Sequence, residues 1–320
     1  MYRSLFEKIG TDGVAIHKDV SIASFTTLGI GGKAKRLITP LTLEGLGRSV
    51  AAFYQEQVDF RILGNGSNLL VSDSGVDVVL RTASLDGFVL ITPQAIGQIS
   101  AEVLEGVSDF SAHYPDTVPV LAYAGCSLKR LMSWAVSNGF QGLEKLCGIP
   151  ASVGGAVCMN AGANGAHIAD VVEGVCFAGE QGLFWRKRGQ LKFCYRHLSI
   201  PEKSMVVAVL FGFKNASAKS LMATVRQIMG QRSKKQPIGK ASAGCVFKNP
   251  QGMSAGLLLD RCGLKGRQRG GAEVSRMHAN FIINTGQARF ADVEGLMAEM
   301  RDVVFEKTSV LLEPEIVVWH

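Results

Sequence analysis

Two features of this sequence have residue types and spacing that could do chemistry: a lone thiol and two glycine-dense stretches. Cys245 stands in "ASAGCVFKNP" (241–250), between a glycine and a valine and just ahead of Lys248 and Asn249. A free cysteine most often packs as a small buried hydrophobe, so Cys245 is either one more core residue or a reactive group. "GNGSN" (64–68) follows an apolar run, and "GIPASVGGAVCMNAGANG" (148–165) carries Gly148, Gly154, Gly155, Gly162 and Gly165 with no charged side chain. Glycine permits close backbone approach, so consecutive N–H groups can cup a pyrophosphate beside a flat ring. Spacing alone equally allows tightly turned structural loops.

Other patterns fail. "GIGGK" (29–33) would need glycine at 27 and a hydroxyl at 34 to be a phosphate loop, and Thr27 and Ala34 stand there. Read as Gly29-x-Gly31-x-x-Ala34 it fits a relaxed dinucleotide fingerprint, but "KRLITP" after it reads as strand where that motif requires helix. The six histidines show no metal-ligand spacing, and there is no Gly-x-Ser-x-Gly elbow, so no metal and no serine nucleophile are expected. The seven cysteines (126, 147, 158, 176, 194, 245 and 262) are odd in number and widely spaced, without Cys-x-x-Cys. Zinc ribbons, thioredoxin chemistry and a disulfide framework are thereby disfavoured, and reduced thiols in a cytoplasmic enzyme are expected.

The chain has 320 residues, enough for two or three lobes, with 47% hydrophobic and 19% charged residues. That charged fraction is below the roughly 25% of typical domains, which suits a well-buried protein. "MYRSLFEKIGTDG" carries charges where a signal peptide needs an apolar core. No apolar run approaches the roughly 18 residues of a membrane span, so no membrane partner is expected. The net charge of +7 would suit nucleic acid if basic residues clustered with aromatics. The dense patches, "WRKRG" (185–189) and "QRSKKQ" (231–236), are short. Ligands bearing phosphates or carboxylates account better for the excess, and no nucleic-acid partner is expected.

The elements that must position these groups fall into three regions. In 1–75, "LEGLGRSVAAFYQEQ" (43–57) puts Leu43, Leu46, Val50 and Phe53 on one helical face behind a Thr42 cap, and "VDFRILG" (58–64) reads as a strand. In 76–213, "MVVAVLFGF" (205–213) reads as a buried strand and "GEQG" (179–182) as a hairpin turn. "SLKRLMSWAVSNG" (127–139) in the same region is a helix capped by Ser127 and ended by Gly139. In 214–320, 216–230 and 290–307 have helical spacing, "SAGLLLDRCG" is a short capped helix and "ANFIINTG" a strand, which makes a small α+β domain.

"TTLGIGGKA", "ILGNGSNLLVSD", "GLEKLCGIPASVGGAVCMNAGANG", "YRHLSI", "SAGCVFKNP", "GLLLDRCGLKG", "GGAEVSRMHANFIINTG" and "LLEPEIVV" follow one another in order. The set, spanning roughly 21–318, resembles the UDP-N-acetylenolpyruvoylglucosamine reductase family of peptidoglycan precursor synthesis, in its shorter branch without an inserted substrate-side loop. The resemblance implies an α+β fold: an FAD-binding, vanillyl-alcohol-oxidase/PCMH-type pair of lobes (1–75 and 76–213) and a C-terminal α+β substrate-binding domain (214–320). It implies a monomer acting on a UDP-sugar, with NADPH reducing FAD and the enolpyruvyl ether then receiving the hydride. It also implies the cofactor contacts Gly64, Asn65, Gly66, Ser67, Asn68, Gly125, Ile149, Pro150, Gly154, Gly155, Asn160, Gly162 and Ala163.

Hydride addition to such an ether spreads negative charge into the carboxylate, and the neighbouring carbon must then take a proton. Arg196 of "YRHLSI" fits the cation, although a surface arginine is the plainer reading of any single one. The family pattern selects Glu315 of "LEPEI" as the catalytic glutamate. Glu313 shares a face with it in an extended segment, so sequence alone separates them poorly, and Pro314 argues against a central strand. The slot of Cys245 usually holds serine as proton donor, and a thiol, with an ordinary pKa of about 8.5, keeps that role. Tyr195, Arg232, Lys235, Lys248 and Asn249 are expected on phosphate or carboxylate groups of the ligands. His197, where an acidic residue is common, and Asn164, where an aromatic is common, depart from the pattern. The rival readings are another FAD oxidoreductase of this fold acting on a small alcohol, and a basic nucleic-acid-binding protein.

Overall fold

The computed structural model describes residues 3–92, 94, 103 and 116–320; most of 93–115, within the expected second lobe, lies outside the described residues. The chain divides into two compact units. One comprises Met1–His17, Leu37–Asn65 and Val78–Met229, the other Lys18–Arg36, Gly66–Asp77 and Gly230–His320.

The first unit is organised by an antiparallel sheet in the order Gly182–Lys187, Val172–Gly179, Ser204–Asn215, Val118–Tyr123, Phe88–Leu90. Met205–Phe213 is buried without a break, because this central strand is covered on both faces. Val209, Phe211 and Phe213 pack with Leu128, Leu131, Val153 and Val157, while Met205 and Val207 pack with Leu46, Val50 and Phe53. Opposite Cys176–Phe177 the strand carries an extra residue, Val207, a bulge that bends the sheet locally. Gly179 pairs with Gly182 around the two-residue turn expected at "GEQG".

Among the described residues, four helices precede a longer fifth that also packs on this core. The four are α1 (Arg3–Ile9), α2 (Leu43–Gln55), α3 (Leu128–Ser137) and α4 (Val153–Cys158). The expected caps are present: Thr42 Oγ1 accepts the Gly45 N–H at 3.0 Å, and Ser127 Oγ accepts that of Arg130 at 3.4 Å. Two expectations change. The strand expected over 58–64 is only Arg61–Leu63, paired in parallel with Val79–Arg81, because the Val58 N–H turns back to the Phe53 carbonyl at 2.8 Å and closes α2. The stretch 148–165 is not one loop, since Ser152 caps α4 within it, its Oγ accepting from the Gly155 N–H at 3.3 Å.

The helix expected over 216–230 runs as α5 (Ala218–Lys235), so most of "QRSKKQ" is helical. Gly230 does not stop it, and Lys234 and Lys235 fall in the last turn, where positive charge favours the helix dipole. In the second unit α6 (Ala255–Arg261) and α7 (Phe290–Thr308) flank the antiparallel strands Gln268–Arg269, Ala272–Val274 and Ile282–Asn284. Leu69–Val71 pairs in parallel with Val317–Trp319. Leu70, Val246, Phe247, Leu259, Ile282, Leu296 and Ile316 share its core. Both units mix helices with largely antiparallel strands, the α+β class expected. Among the described residues no helix is long and apolar enough to cross a membrane.

Candidate active site

In the first unit the glycine-dense segments meet. Asn65 Nδ2 donates to the Pro150 carbonyl at 2.5 Å. A Cβ on Gly64 would lie 2.4 Å from Ser152 Oγ, and one on Gly154 would lie 2.8 Å from Ala124 Cβ, beside Gly125. Glycine here lets chain segments close on one another around the start of α4, with half-buried Ile149 packed against the same core. The Val153 and Gly154 N–H groups are already spent on the Cys126 and Ala124 carbonyls, at 2.8 and 2.9 Å.

The end of α4 is more telling. Asn160 takes the left-handed position after the helix (φ 39°), its N–H reaching the Val157 carbonyl while that of Ala161 reaches Ala156. This double closure usually employs glycine. The Asn160 side chain is 6% exposed, and its Nδ2 donates to the Cys194 carbonyl at 2.9 Å. Its Oδ1 is buried and finds no partner among the described residues, a state that costs about 1–3 kcal/mol unless a ligand supplies a donor. Asn164 and Gly165 (φ 53° and 73°) form the turn joining Gly162–Ala163 to Ala166–His167. Two successive left-handed residues are what a tight hairpin requires, which explains asparagine at 164.

Arg196 is the second residue of the turn between Phe193–Cys194 and His197–Leu198, with φ 57°. Glycine is the default in that conformation. Its Nη1 donates to the Gly162 carbonyl at 3.0 Å, and its guanidinium lies 5.4 Å over the ring of Tyr195, itself 47% exposed. Arg196, Tyr195, Asn160, Gly162 and Ala163 are therefore neighbours.

In the second unit the segment Cys245–Lys248 is extended and held from both sides. On one, Cys245 bridges Phe281 and the Val246 N–H donates to Asn280 O at 2.9 Å. On the other, the Glu315 N–H donates to Val246 O at 2.7 Å and the Lys248 N–H to Glu313 O at 2.9 Å. Cys245 is half-buried. Glu313 makes a 3.3 Å ion pair with Lys248. Asn68 Nδ2 donates to the Glu315 carbonyl at 3.1 Å. Gly66 and Ser67 precede Asn68 in this unit, the Gly66 carbonyl accepting the Thr27 N–H at 3.1 Å. Asn249 Oδ1 accepts the Ala255 N–H at the start of α6. Arg232 and Lys235 lie on the last turns of α5. All seven cysteines are free thiols, and Cys194, at the surface, is no core residue. Burial pushes the Cys126 thiol up to about 11.

His278 and Asn280 were not anticipated from the sequence. His278 Nδ1 accepts the Asn280 N–H at 3.2 Å, so the ring is bonded in its neutral form. Burial, with Lys265 adding repulsion, holds the His278 pKa below its ordinary value, against the weaker pull of its own backbone hydrogen bond and Asp260. Between the folded value and the unfolded value of about 6.5 the unfolded chain binds more protons. Stability is therefore full above about pH 6.5 and is lost as pH falls through the folded value. Thermal melts should decline in that acidic window, and His278→Gln should flatten this part of the profile.

Residues 34–186 match the model of an FAD binding domain, and residues 236–319 that of the UDP-N-acetylenolpyruvoylglucosamine reductase C-terminal domain. The UDP-N-acetylenolpyruvoylglucosamine reductase of Syntrophotalea carbinolica is 36% identical over 309 residues, 95% of each chain. The chain belongs to that reductase family. A second family member, from Carboxydothermus hydrogenoformans, is 38% identical over 92% of this chain and 91% of its own. The crystal structure of the reductase from Thermus caldophilus superposes with a TM-score of 0.75 at 35% identity, covering 96% of this chain and all of that one. Membership of the reductase family makes the chain an FAD-dependent oxidoreductase. Its residues fit that cofactor: FAD offers ring N–H, ribityl hydroxyl and adenine amine donors to the buried Asn160 Oδ1.

Proposed function

We propose that this protein reduces the enolpyruvyl ether of UDP-N-acetylenolpyruvoylglucosamine to UDP-N-acetylmuramate, using NADPH, as a cytoplasmic monomer of peptidoglycan precursor synthesis. The family relationship supports the substrate. The observation that carries the chemistry is that the Cys245 and Glu315 segments are hydrogen-bonded neighbours, through Glu315 N–H to Val246 O at 2.7 Å. FAD, when bound, would supply two-electron hydride-transfer chemistry linking NADPH to the ether.

The remaining steps belong to the chain. Arg196 grips the substrate carboxylate through two parallel bonds and holds the charge that accumulates there. Glu315, carrying a proton, donates a hydrogen bond to the same charge. The Cys245 S–H delivers a proton to the adjacent carbon, and the thiolate regains one from solvent, so the double bond gains one hydride and one proton. Tyr195, Arg232, Lys235, Lys248 and Asn249 bind the phosphates and carboxylates of the ligands. Gly64–Asn68, Gly125, Ile149, Pro150, Gly154, Gly155, Asn160, Gly162 and Ala163 hold FAD. In this reading 1–75 and 76–213 form the cofactor lobes and 214–320 the substrate domain.

The two half-reactions test this directly. Under anaerobic conditions NADPH should bleach the yellow protein, and the enolpyruvyl UDP-sugar should restore the colour with one UDP-N-acetylmuramate formed per flavin. Bleaching by a small alcohol, or colour that the UDP-sugar leaves unrestored, would refute the assignment.

A further inference from the structure

We infer that Asn280 is a positioning residue for the reaction, setting the register of the Cys245 thiol; this rests on Cys245 being the proton donor. Asn280 is 2% exposed within an otherwise apolar run, Ala279 and Phe281 flanking it. Both ends of its amide are spent on one residue. Oδ1 accepts the Phe247 N–H at 2.9 Å, and Nδ2 donates to the Phe247 carbonyl at 2.8 Å. Its own carbonyl accepts the Val246 N–H at 2.9 Å.

The side chain thus reinforces the pairing of a segment that, among the described residues, lies in no named strand and is bridged from Cys245 to Phe281 and from Phe247 to Pro314. Asn280 is itself held: its N–H reaches His278 Nδ1, and Ser275 Oγ accepts the Met277 and His278 N–H groups to shape the turn before it. An apolar residue would fill the space but strand two polar groups of Phe247, which is 1% exposed. Proton delivery to carbon tolerates little misplacement, a shift of about 1 Å costing about 10²-fold. The three bonds from Asn280 hold one side of the thiol's segment, and the Glu315–Val246 bond holds the other.

The test uses the FAD-loaded protein and both half-reactions. Asn280→Ser should leave reduction by NADPH within about twofold and slow the UDP-sugar half-reaction by about 10²-fold, with a larger solvent deuterium effect. In a Cys245→Ala background the same substitution should add less than a twofold loss, because the two residues act as one unit. Asn280→Asp supplies a second readout. Its protonated carboxyl can both donate to and accept from Phe247, so its UDP-sugar half-reaction should fail as pH rises through the new carboxyl pKa, a profile the parent lacks. Equal slowing of both half-reactions, or full additivity with Cys245→Ala, overturns the inference and makes Asn280 structural only. If Cys245→Ala itself turns over at the parental rate, the donor assignment falls; if only the Asn280 variants do so, the donor stands and the positioning role falls.

Discussion

Cys245→Ala should let NADPH bleach the bound flavin at the parental rate and slow the return of colour with the UDP-sugar by about 10²–10⁴-fold, the usual effect of removing a general acid. The split follows from where the proton is needed. Reduction by NADPH asks nothing of the thiol, whereas the second half-reaction leaves a carbon that must be protonated. Cys245→Ser should retain substantial turnover, since a hydroxyl can occupy the same place and is only the weaker acid. The stability of the alanine variant separates this from a packing defect. Cys245 is half-buried while Cys126 is fully buried, so Cys126→Ala should lower the melting temperature with both half-reactions intact, and Cys245→Ala should do the reverse. An alanine variant that recovers colour at the parental rate removes Cys245 from the mechanism.

Arg196 should show activity and stability moving apart. Its φ of 57° costs an L-residue about 1–2 kcal/mol relative to glycine, against about 1 kcal/mol returned by its hydrogen bond to Gly162. Arg196→Gly relieves the first and forfeits the second, so its stability should stay within about 1 kcal/mol of the parent. Arg196→Ala forfeits the bond and keeps the strain, and should be the less stable variant by about 1 kcal/mol. Both should lose about 10²–10³-fold in turnover, the range for deleting one preorganised donor to developing charge. Denaturant unfolding paired with steady-state assays reads both quantities. Equal stability of the two variants would remove the backbone argument; parental turnover in either would remove the guanidinium from catalysis.

Much of the scaffold was legible because its signals are local. An unbroken apolar run marked Met205–Phe213, and side chains that can cap marked the starts of α2, α3 and α6, the last through Ser254, whose Oγ accepts the Leu257 N–H. The features that escaped depend on partners distant in sequence or on weak local signals. Six residues of α4 are too short for periodicity to show, although Ser152 followed by small residues was a usable hint. Glu313 and Glu315 look alike in sequence, and the 3.3 Å pair of Glu313 with Lys248 joins residues 65 positions apart that no local pattern connects. Asn280 appears merely as a polar interruption of "HANFIIN" until Phe247, more than thirty positions earlier, supplies its purpose. Asparagine followed by glycine at 164–165 was a hairpin signal that the surrounding glycine obscured.

Asn68 ties the glycine turn to the C-terminal segment by two bonds: its side-chain Nδ2 donates to the Glu315 carbonyl, and its own carbonyl accepts the Val317 N–H at 2.9 Å. The turn and the terminal strand therefore behave as a single lever. A substitution at Asn68 would therefore disturb both ends of that lever at once, loosening the terminal strand together with the turn.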